Sequence, residues 1–281
     1  MENGEWSEGE GEERGGRYEE DTRAALIGHF EGHKKEVFYQ KQLQVICEEI
    51  RLLGGGSPFH WVTRRALYKL EEEGETVHSE RTESGGGVEV RLYFHKSHRY
   101  WKRQAAKLLG IIDEMAESEL TRACGHHAEM LFLVALASRG FQPYGEDIRE
   151  YRGRAWDETE HELDFILEKD GIAWGCEVKN TWDYIAQDEL EIKLRMCGHL
   201  GVRPMFIMRA SPKTYNYEIY QAGGFALIFE DHLYPFGMVG FAEKIRKELR
   251  MPADSPRAIP SGHIDRFFNW YEKQRQLGIL K

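Results

Sequence analysis

The stretch of sequence that most constrains the fold is residues 161–181, where two apolar-rich runs flank an Asp-Gly dipeptide at positions 170 and 171. An Asp-Gly pair in this setting is a strong signal for a two-residue β-hairpin turn. The turn fixes the register, because Lys169 then faces Ile172 and every other cross-strand pair follows by counting outward. The sequence therefore predicts an antiparallel hairpin with a defined set of cross-strand neighbours.

The predicted register brings charged side chains together on one face of the hairpin. Asp164 lies directly opposite Glu177, and Lys179 follows on the same face, about 6–7 Å further along its strand. Like charges in opposed positions, with Cβ atoms about 4.5–5.5 Å apart, are destabilising unless a cation lies between them. A bound divalent cation would relieve this repulsion. An ordinary hairpin with a solvated face would carry the same residues, and the hairpin alone does not decide between the two.

A metal held in this way would have a definite chemistry. Hard cations such as Mg²⁺ bind carboxylate oxygens and waters, and commonly share their coordination with a substrate phosphate. Such an ion activates and orients a water for attack on phosphorus, while a lysine adds a positive charge beside the scissile phosphate. The pattern therefore indicates phosphodiester hydrolysis, provided that the flanking sequence supports it.

Charge is distributed unevenly along the chain. The net charge is −10 over 281 residues, and residues 1–20 contribute −6 of it, with eight Glu against two Arg. This segment is rich in Gly and almost free of aliphatic residues, which predicts a disordered acidic tail. The tail either competes with a phosphate backbone for a binding surface or is inert and solubilising, and composition favours the second.

The sequence favours a cytoplasmic protein. No apolar signal region opens it, and its longest aliphatic run, residues 131–137, is far too short to span a bilayer. Its four cysteines are scattered without a Cys-x-x-Cys spacing, which indicates neither a zinc site nor a disulfide framework.

Residues 21–101 are predicted to form a first domain in which three helices precede a hairpin. The predicted helices are 22–30, 40–53 and 57–73, and the predicted strands are 76–81 and 88–94. This order resembles a winged helix, a helix-turn-helix variant whose third helix enters the major groove of DNA. Winged helices also serve in protein interaction and dimerisation, so the pattern alone leaves that alternative open.

Candidate DNA contacts are the cations expected to point outward. They are Arg64, Arg65 and Lys69 on the third helix, and Arg91, Lys96 and Arg99 on and after the second strand. Residues 91–112 contain no acid and are interleaved with aromatic residues, which is typical of a nucleic-acid surface. Residues 102–116 are predicted to be a basic linker helix, and a solvated basic helix face is the alternative explanation of the same charges.

Residues 117–281 are predicted to form a second domain that opens with a helix over 120–139. Glu129 interrupts the apolar stripe of this helix, and an acid beside a buried stripe requires a partner. The same metal, a water bound to it, or a salt bridge to a nearby arginine would each serve.

The order of these residues resembles the PD-(D/E)XK nuclease superfamily. The resemblance rests on Glu129 in a helix, Asp164 in a strand, and Glu177-Val178-Lys179 in the next strand, and it covers residues 117–230. It implies an α/β restriction-endonuclease-like domain, a mixed sheet flanked by helices, preceded here by an α+β winged-helix domain. Leu163 stands where the motif of the superfamily has proline.

The resemblance also implies roles for individual residues. Asp164, Glu177 and the main-chain carbonyl of Val178 would bind Mg²⁺ or Mn²⁺, Glu129 would be the helical acid at the metal, and Lys179 would assist the nucleophile. Beyond the motif, Gln187 and Lys193 lie on a predicted helix that would place them as supporting residues, although a solvated helix face is the simpler expectation for each.

The function expected from the sequence is a metal-dependent endonuclease that hydrolyses phosphodiester bonds in duplex or branched DNA. Cleavage of both strands would most simply use a homodimer, because two-fold symmetry presents matching sites to opposite strands. One alternative is a winged-helix regulator with a non-catalytic nuclease-like domain, and another is an RNA-processing nuclease on the same scaffold.

Overall fold

The computed structural model describes residues 8–52 and 55–280, with side chains described from residue 17 onward in the first helix. The chain divides into two compact units. The amino-terminal unit comprises the described residues up to Ser118 together with Lys247–Met251, and the carboxyl-terminal unit comprises Glu119–Arg246 and the residues from Pro252 onward.

The amino-terminal unit contains helices around a small antiparallel sheet. Its elements in chain order are α1 (Glu8–Gly32), β1 (Val37–Tyr39), α2 (Gln40–Cys47), α3 (His60–Glu73), β2 (Val77–Glu83), β3 (Glu89–His95) and α4 (Trp101–Ala116). The three strands lie in the order β1-β3-β2, and the β2–β3 hairpin runs from Val77 opposite His95 to Glu83 opposite Glu89. Leu26, Phe38, Leu43, Leu67 and Tyr93 form its buried core.

Three segments of this unit differ from the sequence prediction. Residues 8–20 belong to α1, where a disordered tail was predicted, while residues 1–7 lie outside the described residues. Tyr18 explains part of this difference, because its hydroxyl donates to the carbonyl of Ser57 and holds the helix against the loop before α3. The second helix was predicted over residues 40–53 but ends at Cys47. The main-chain hydrogen bonds that follow it join residues three apart, as in a 3₁₀ turn. The third helix was predicted to start at residue 57 but begins at His60, with Phe59 as its N-cap residue.

From Ser118 onward the chain alternates helices and strands. The elements are α5 (Ser118–Ala137), β4 (Gln142–Ile148), β5 (Glu150–Tyr151), β6 (Arg154–Ala155), β7 (Leu163–Lys169), β8 (Ile172–Lys179), α6 (Gln187–Leu200), β9 (Arg203–Met208), α7 (Lys213–Gln221), β10 (Phe225–Ile228), β11 (His232–Leu233), α8 (Val239–Leu249), β12 (Ala253–Asp254) and α9 (Ser261–Gln276). This is a mixed α/β fold, as the sequence predicted at the level of fold class.

The main sheet of this unit has five strands in the order β10-β9-β8-β7-β4. Strands β4, β7 and β8 are antiparallel neighbours, whereas β8, β9 and β10 run parallel. Parallel neighbours need a crossover connection, and α6 and α7 supply the two that the sheet requires. Strand β8 is therefore the point at which the sheet changes from antiparallel to parallel pairing.

The predicted hairpin is confirmed as the β7–β8 pair, with Lys169 opposite Ile172 and Phe165 opposite Cys176. Asp170 and Gly171 have φ angles of 53° and 81°. A type I′ turn requires positive φ at both central residues, and asparagine, aspartate and glycine tolerate this conformation best. The Asp-Gly dipeptide therefore sets the register of the two central strands through its own backbone conformation.

Apolar side chains cover both faces of the sheet. A large cluster includes Phe132 and Leu136 of α5, Trp174 of β8, and Phe267 and Tyr271 of α9, all of them at most 1 % exposed. Burial on this scale is the main stabilising term of the unit, and it holds α5 against β8. Nowhere in the described chain is there a helix whose length and apolar character would let it cross a membrane.

Candidate active site

Charged side chains gather where β7 and β8 separate. The main-chain pairing of the hairpin extends outward to Phe165 and Cys176. One position beyond it, Oδ2 of Asp164 accepts a hydrogen bond of 2.5 Å from the main-chain N–H of Val178. A side-chain oxygen thus replaces the strand carbonyl that would continue the ladder. Asp164 and Glu177 therefore lie beside one another at the open end of the hairpin.

Glu177 is the most buried acid of this group, with 1 % of its side chain exposed. Its Oε2 lies 2.5 Å from Nζ of Lys193, and its Oε1 lies 2.8 Å from Nζ of Lys179. Oε1 is buried, and the Lys179 ammonium contacts it as an ion pair. Two ammonium groups thus supply the positive charge that the sequence assigned to a metal ion.

Lys179 lies between two carboxylates. Besides Glu177, its Nζ contacts Oε1 of Glu189 on α6 at 2.8 Å. Burial by itself would lower the pKa of Lys179, but the charges of Glu177 and Glu189 outweigh it and raise that pKa above its ordinary value. Lys179 is therefore a fixed positive charge at neutral pH.

Lys193 is almost fully buried beneath Glu177, with 6 % of its side chain exposed. Its ammonium also donates to the main-chain carbonyl of Glu162, so it joins the segment before β7 to the middle of the site. Glu189 and Lys193 are four residues apart on α6 and therefore share a helix face. The charged cluster consists of Asp164, Glu177, Lys179, Glu189 and Lys193.

Sequence reasoning did not include Glu189, although a signal for it existed, since it precedes Lys193 by one helical turn. Gln187 lies outside the charged cluster, and its amide contacts Glu191 at 3.0 Å and Glu218 at 3.3 Å on the surface. The face of α6 that meets the cluster is the one that bears Glu189 and Lys193, which turns Gln187 away.

The pKa of Asp164 is raised by its position in this cluster. Burial, followed by the negative charge of Glu177, raises its pKa to about 8 from an ordinary value of 3.8, against the opposing effects of the Val178 N–H and the two lysines. A carboxyl group with such a pKa is poised to gain from any additional positive charge nearby.

Glu129 approaches the same region from α5. It is half-buried, and Nδ1 of His126 lies 3.8 Å from its Oε2. Burial raises the pKa of Glu129, and the negative charges of Asp147 and Glu177 raise it further against the opposing charge of His126. Asp147 on β4 is a second acid that sequence reasoning missed. It has a φ of 52°, an uncommon backbone conformation for a residue other than glycine.

A buried amide fixes the helix that bears Glu129 relative to β8. The side chain of Asn180 donates to the carbonyls of Cys124 at 3.0 Å and Leu233 at 2.7 Å, and accepts from the N–H of Leu233 at 2.8 Å. Asn180 directly follows Lys179, so the end of β8 is attached to α5 one residue beyond the charged cluster. Its buried polar groups are all paired, as such groups must be.

In the described part of the chain, no three histidine, cysteine, aspartate or glutamate side chains come together as a group that could hold a metal ion. The acids gathered here are instead interleaved with the ammonium groups of Lys179 and Lys193. Any metal bound at this position would rely on two carboxylates, with main-chain, water or substrate oxygens completing its coordination.

The cations predicted to contact DNA have different environments in the amino-terminal unit. Arg64, Arg65 and Lys69 are exposed on α3, and Lys96 and Arg99 are exposed beyond β3. Arg91 differs from the prediction, because it is turned inward over the ring of Tyr68 at 4.6 Å and lies 3.4 Å from Glu71. Its guanidinium is thus engaged within the unit.

Comparison of the chain with protein-family models, with curated proteins and with solved structures found no match.

Proposed function

We propose that this chain is a Mg²⁺- or Mn²⁺-dependent DNA endonuclease with a PD-(D/E)XK catalytic domain and an amino-terminal winged helix. The order α5, β4, β7, β8, α6, β9 supports the first assignment, because a helix bearing an acid precedes three antiparallel strands, a crossover helix and a parallel strand. The order of α1, β1, α2, α3 and the β2–β3 hairpin supports the second.

The observation that carries this proposal is the arrangement at the end of the β7–β8 hairpin. Asp164 and Glu177 lie on adjacent strands beside Lys179, and the Asp164 carboxylate interrupts the strand ladder by accepting the Val178 N–H. A purely structural hairpin has no need to hold two acids together at a cost in free energy. Functional sites are where such costs are usually found.

The residues present fit a divalent cation. The buried Asp164 carboxyl has a pKa raised by burial and by the charge of Glu177, so this pair of acids would gain from a further cation. Mg²⁺ is usually bound by one or two carboxylates, with waters and substrate phosphates completing the coordination, so a third acidic side chain is not required. In a β-strand, the N–H and C=O of one residue point toward the same neighbouring strand. The Val178 N–H points toward Asp164, so the Val178 carbonyl points toward Asp164 as well.

Bound to Asp164, Glu177 and the Val178 carbonyl, such a cation would polarise the scissile phosphate and lower the pKa of a bound water. Lys179 stabilises the negative charge that develops on the phosphate, as its own charge is fixed by Glu177 and Glu189. Lys193 orients the Glu177 carboxylate from beneath. Glu129, whose raised pKa suits proton transfer, holds the attacking water and accepts its proton.

The amino-terminal unit would bind the DNA duplex or branch on which the site acts. Exposed cations on α3 and beyond β3 suit a phosphate backbone, which binds positive side chains without regard to sequence. A homodimer would present two sites to opposite strands, which suits cleavage of both.

A second candidate function is supported by a specific observation. Lys179 and Lys193 together neutralise Glu177 without any metal, so the charged cluster is also compatible with a non-catalytic, nuclease-like domain. In that case the chain would be a winged-helix DNA-binding regulator. The two functions differ in whether bound DNA is cut.

The test is to incubate the purified protein and Glu177→Ala with Mg²⁺ or Mn²⁺ and a set of linear, supercoiled, flapped, four-way and single-stranded DNA and RNA substrates. We expect the wild type to cut DNA only when the metal is present, and Glu177→Ala to bind DNA equally well without cutting it. Binding without cleavage by the wild type would support the regulator instead. Selective cleavage of RNA would assign the site to an RNA nuclease.

A further inference from the structure

An acid on α1 contacts two of the cations proposed to bind DNA. Oε2 of Glu19 lies 3.3 Å from Nε of Arg65, and Oε1 of Glu19 lies 2.5 Å from Nζ of Lys69. The Glu19 side chain is 16 % exposed, whereas those of Arg65 and Lys69 are 57 % and 59 % exposed. The carboxylate therefore lies beneath two cations that remain open to solvent on their outer side.

The position of Glu19 is fixed by contacts on either side of it. The hydroxyl of Tyr18 donates to the carbonyl of Ser57, and its ring centroid lies 5.9 Å from that of Phe59. One turn later Arg23 forms an ion pair with Glu73 at the end of α3. These contacts hold α1 alongside α3, so Glu19 faces the cations of α3 as a consequence of helix packing.

A carboxylate and a phosphate oxygen compete for the same partners. Both accept charge-assisted hydrogen bonds from guanidinium and ammonium groups, and neither cation can be shared fully between them. The sequence of residues 1–20 is itself acidic, with eight Glu against two Arg. A phosphate backbone that approaches α3 therefore meets cations that already have a negative partner.

We infer that α1 regulates DNA binding by the amino-terminal unit, with Glu19 acting as an internal competitor for Arg65 and Lys69. This inference rests on the proposed binding of DNA by α3. Glu19 already neutralises part of the charge of both cations, so the wild-type protein binds DNA more weakly than it would without this carboxylate. Any change that neutralises or withdraws Glu19 strengthens binding.

The experiment measures binding of a fluorescent duplex to the full-length chain by anisotropy at low salt, in the absence of divalent cations. Glu19→Gln removes the negative charge at nearly constant shape, and should tighten binding by about three- to tenfold, as expected for the loss of two partly exposed ion pairs. Glu19→Asp keeps the charge but shortens the side chain, and should give a smaller gain in the same direction.

The matched control is Glu20→Gln. Glu20 is exposed on α1 one residue further along, so this variant changes the net charge by the same amount on a different side of the helix. Its affinity should stay within about twofold of the wild type, because exposed charges away from the contact are partly screened by salt. In an Arg65→Gln, Lys69→Gln background, Glu19→Gln should have no effect.

The outcomes separate the inference from the proposed function. Equal gains for Glu19→Gln and Glu20→Gln, or a gain from Glu19→Gln that persists in the Arg65→Gln, Lys69→Gln background, would overturn the competition while leaving DNA binding intact. Failure of every variant, including Glu19→Gln, to bind duplex at low salt would instead overturn the proposed DNA-binding function. Circular dichroism of each variant confirms that α1 and α3 remain folded.

Discussion

Replacing Lys193 with methionine should destabilise β8 more than any other single loss of a lysine in the carboxyl-terminal unit. Methionine keeps most of the volume of the side chain but removes the ammonium that lies 2.5 Å from Oε2 of Glu177 and also donates to the Glu162 carbonyl. The Glu177 side chain is 1 % exposed, so water cannot replace the lost donor without structural change. Lys179 would remain as an ammonium partner of Glu177.

The expected magnitude follows from this burial. Removal of one partner from a buried ion pair typically costs about 3–5 kcal/mol when the other charge is left uncompensated, and because Lys179 still contacts Glu177 the cost here should lie at the lower end, about 3 kcal/mol. Lys193→Met should therefore lower the free energy of opening of β8 by about that amount. A second replacement, Glu177→Leu, removes the stranded charge, and the double variant should recover to within about 1 kcal/mol of the wild type.

Native-state hydrogen exchange of β8 peptides measures this local free energy, which is appropriate for a chain with two units where one global value is poorly defined. Lys213→Met is the matched control, since Lys213 is exposed on α7 and its loss should change stability by less than about 0.5 kcal/mol. A loss below about 1 kcal/mol for Lys193→Met, or no recovery in the double variant, would refute the argument that Lys193 compensates the Glu177 charge.

Three further predictions concern the surrounding residues. Asn180→Ala should lower the free energy of opening of β8, measured by the same hydrogen exchange, by roughly 2–4 kcal/mol because it leaves buried main-chain groups unpaired, whereas Thr181→Ala, at an exposed position, should cost less than about 0.5 kcal/mol. Asp164→Asn should flatten the pH dependence of metal-free stability. A folded-state pKa raised from 3.8 to about 8 means that the wild type loses stability as pH rises through that interval, and a parallel decline in the variant would contradict this. Glu129→Gln should reduce metal-dependent cleavage by about 10²–10⁴-fold with unchanged DNA affinity, whereas His126→Ala, at an exposed position, should stay close to wild type. A cleavage rate for Glu129→Gln within a few fold of wild type would remove Glu129 from proton transfer.

Local sequence signals predicted the hairpin and its charged face well. The Asp170-Gly171 turn determines the register by its own backbone preference, so the proximity of Asp164 to Glu177 follows from counting residues. The alternation of helices with strands likewise predicted an α/β fold, and the outward direction of Arg64, Arg65 and Lys69 followed from helical spacing.

Contacts between distant segments could not be predicted in the same way. The position of Glu189 depends on the crossover that carries α6 back over β8, and that of Asp147 depends on which strand pairs with β7 on its other side. Arg91 was predicted to face a ligand, but its orientation toward Tyr68 and Glu71 depends on the packing of the hairpin against α3. The tail prediction used composition alone, which does not account for the contact between Tyr18 and Ser57.

The charge balance of the site was also beyond sequence reasoning. Two opposed acids indicate that a cation lies nearby, but they do not identify it. In the structure, the ammonium groups of Lys179 and Lys193 contact Glu177. A metal would therefore join an already compensated cluster, where it gains chiefly from Asp164, whose pKa is raised by burial and by the charge of Glu177.

The most direct test of the proposed metal site is anomalous diffraction from crystals of the protein grown with Mn²⁺ and a DNA duplex. We predict one strong peak at coordination distance, about 2.0–2.2 Å, from a carboxylate oxygen of both Asp164 and Glu177. Crystals of Glu177→Ala should lack this peak. An absence of anomalous signal at the wild-type site, with Lys179 and Lys193 still in contact with Glu177, would contradict a metal-dependent nuclease.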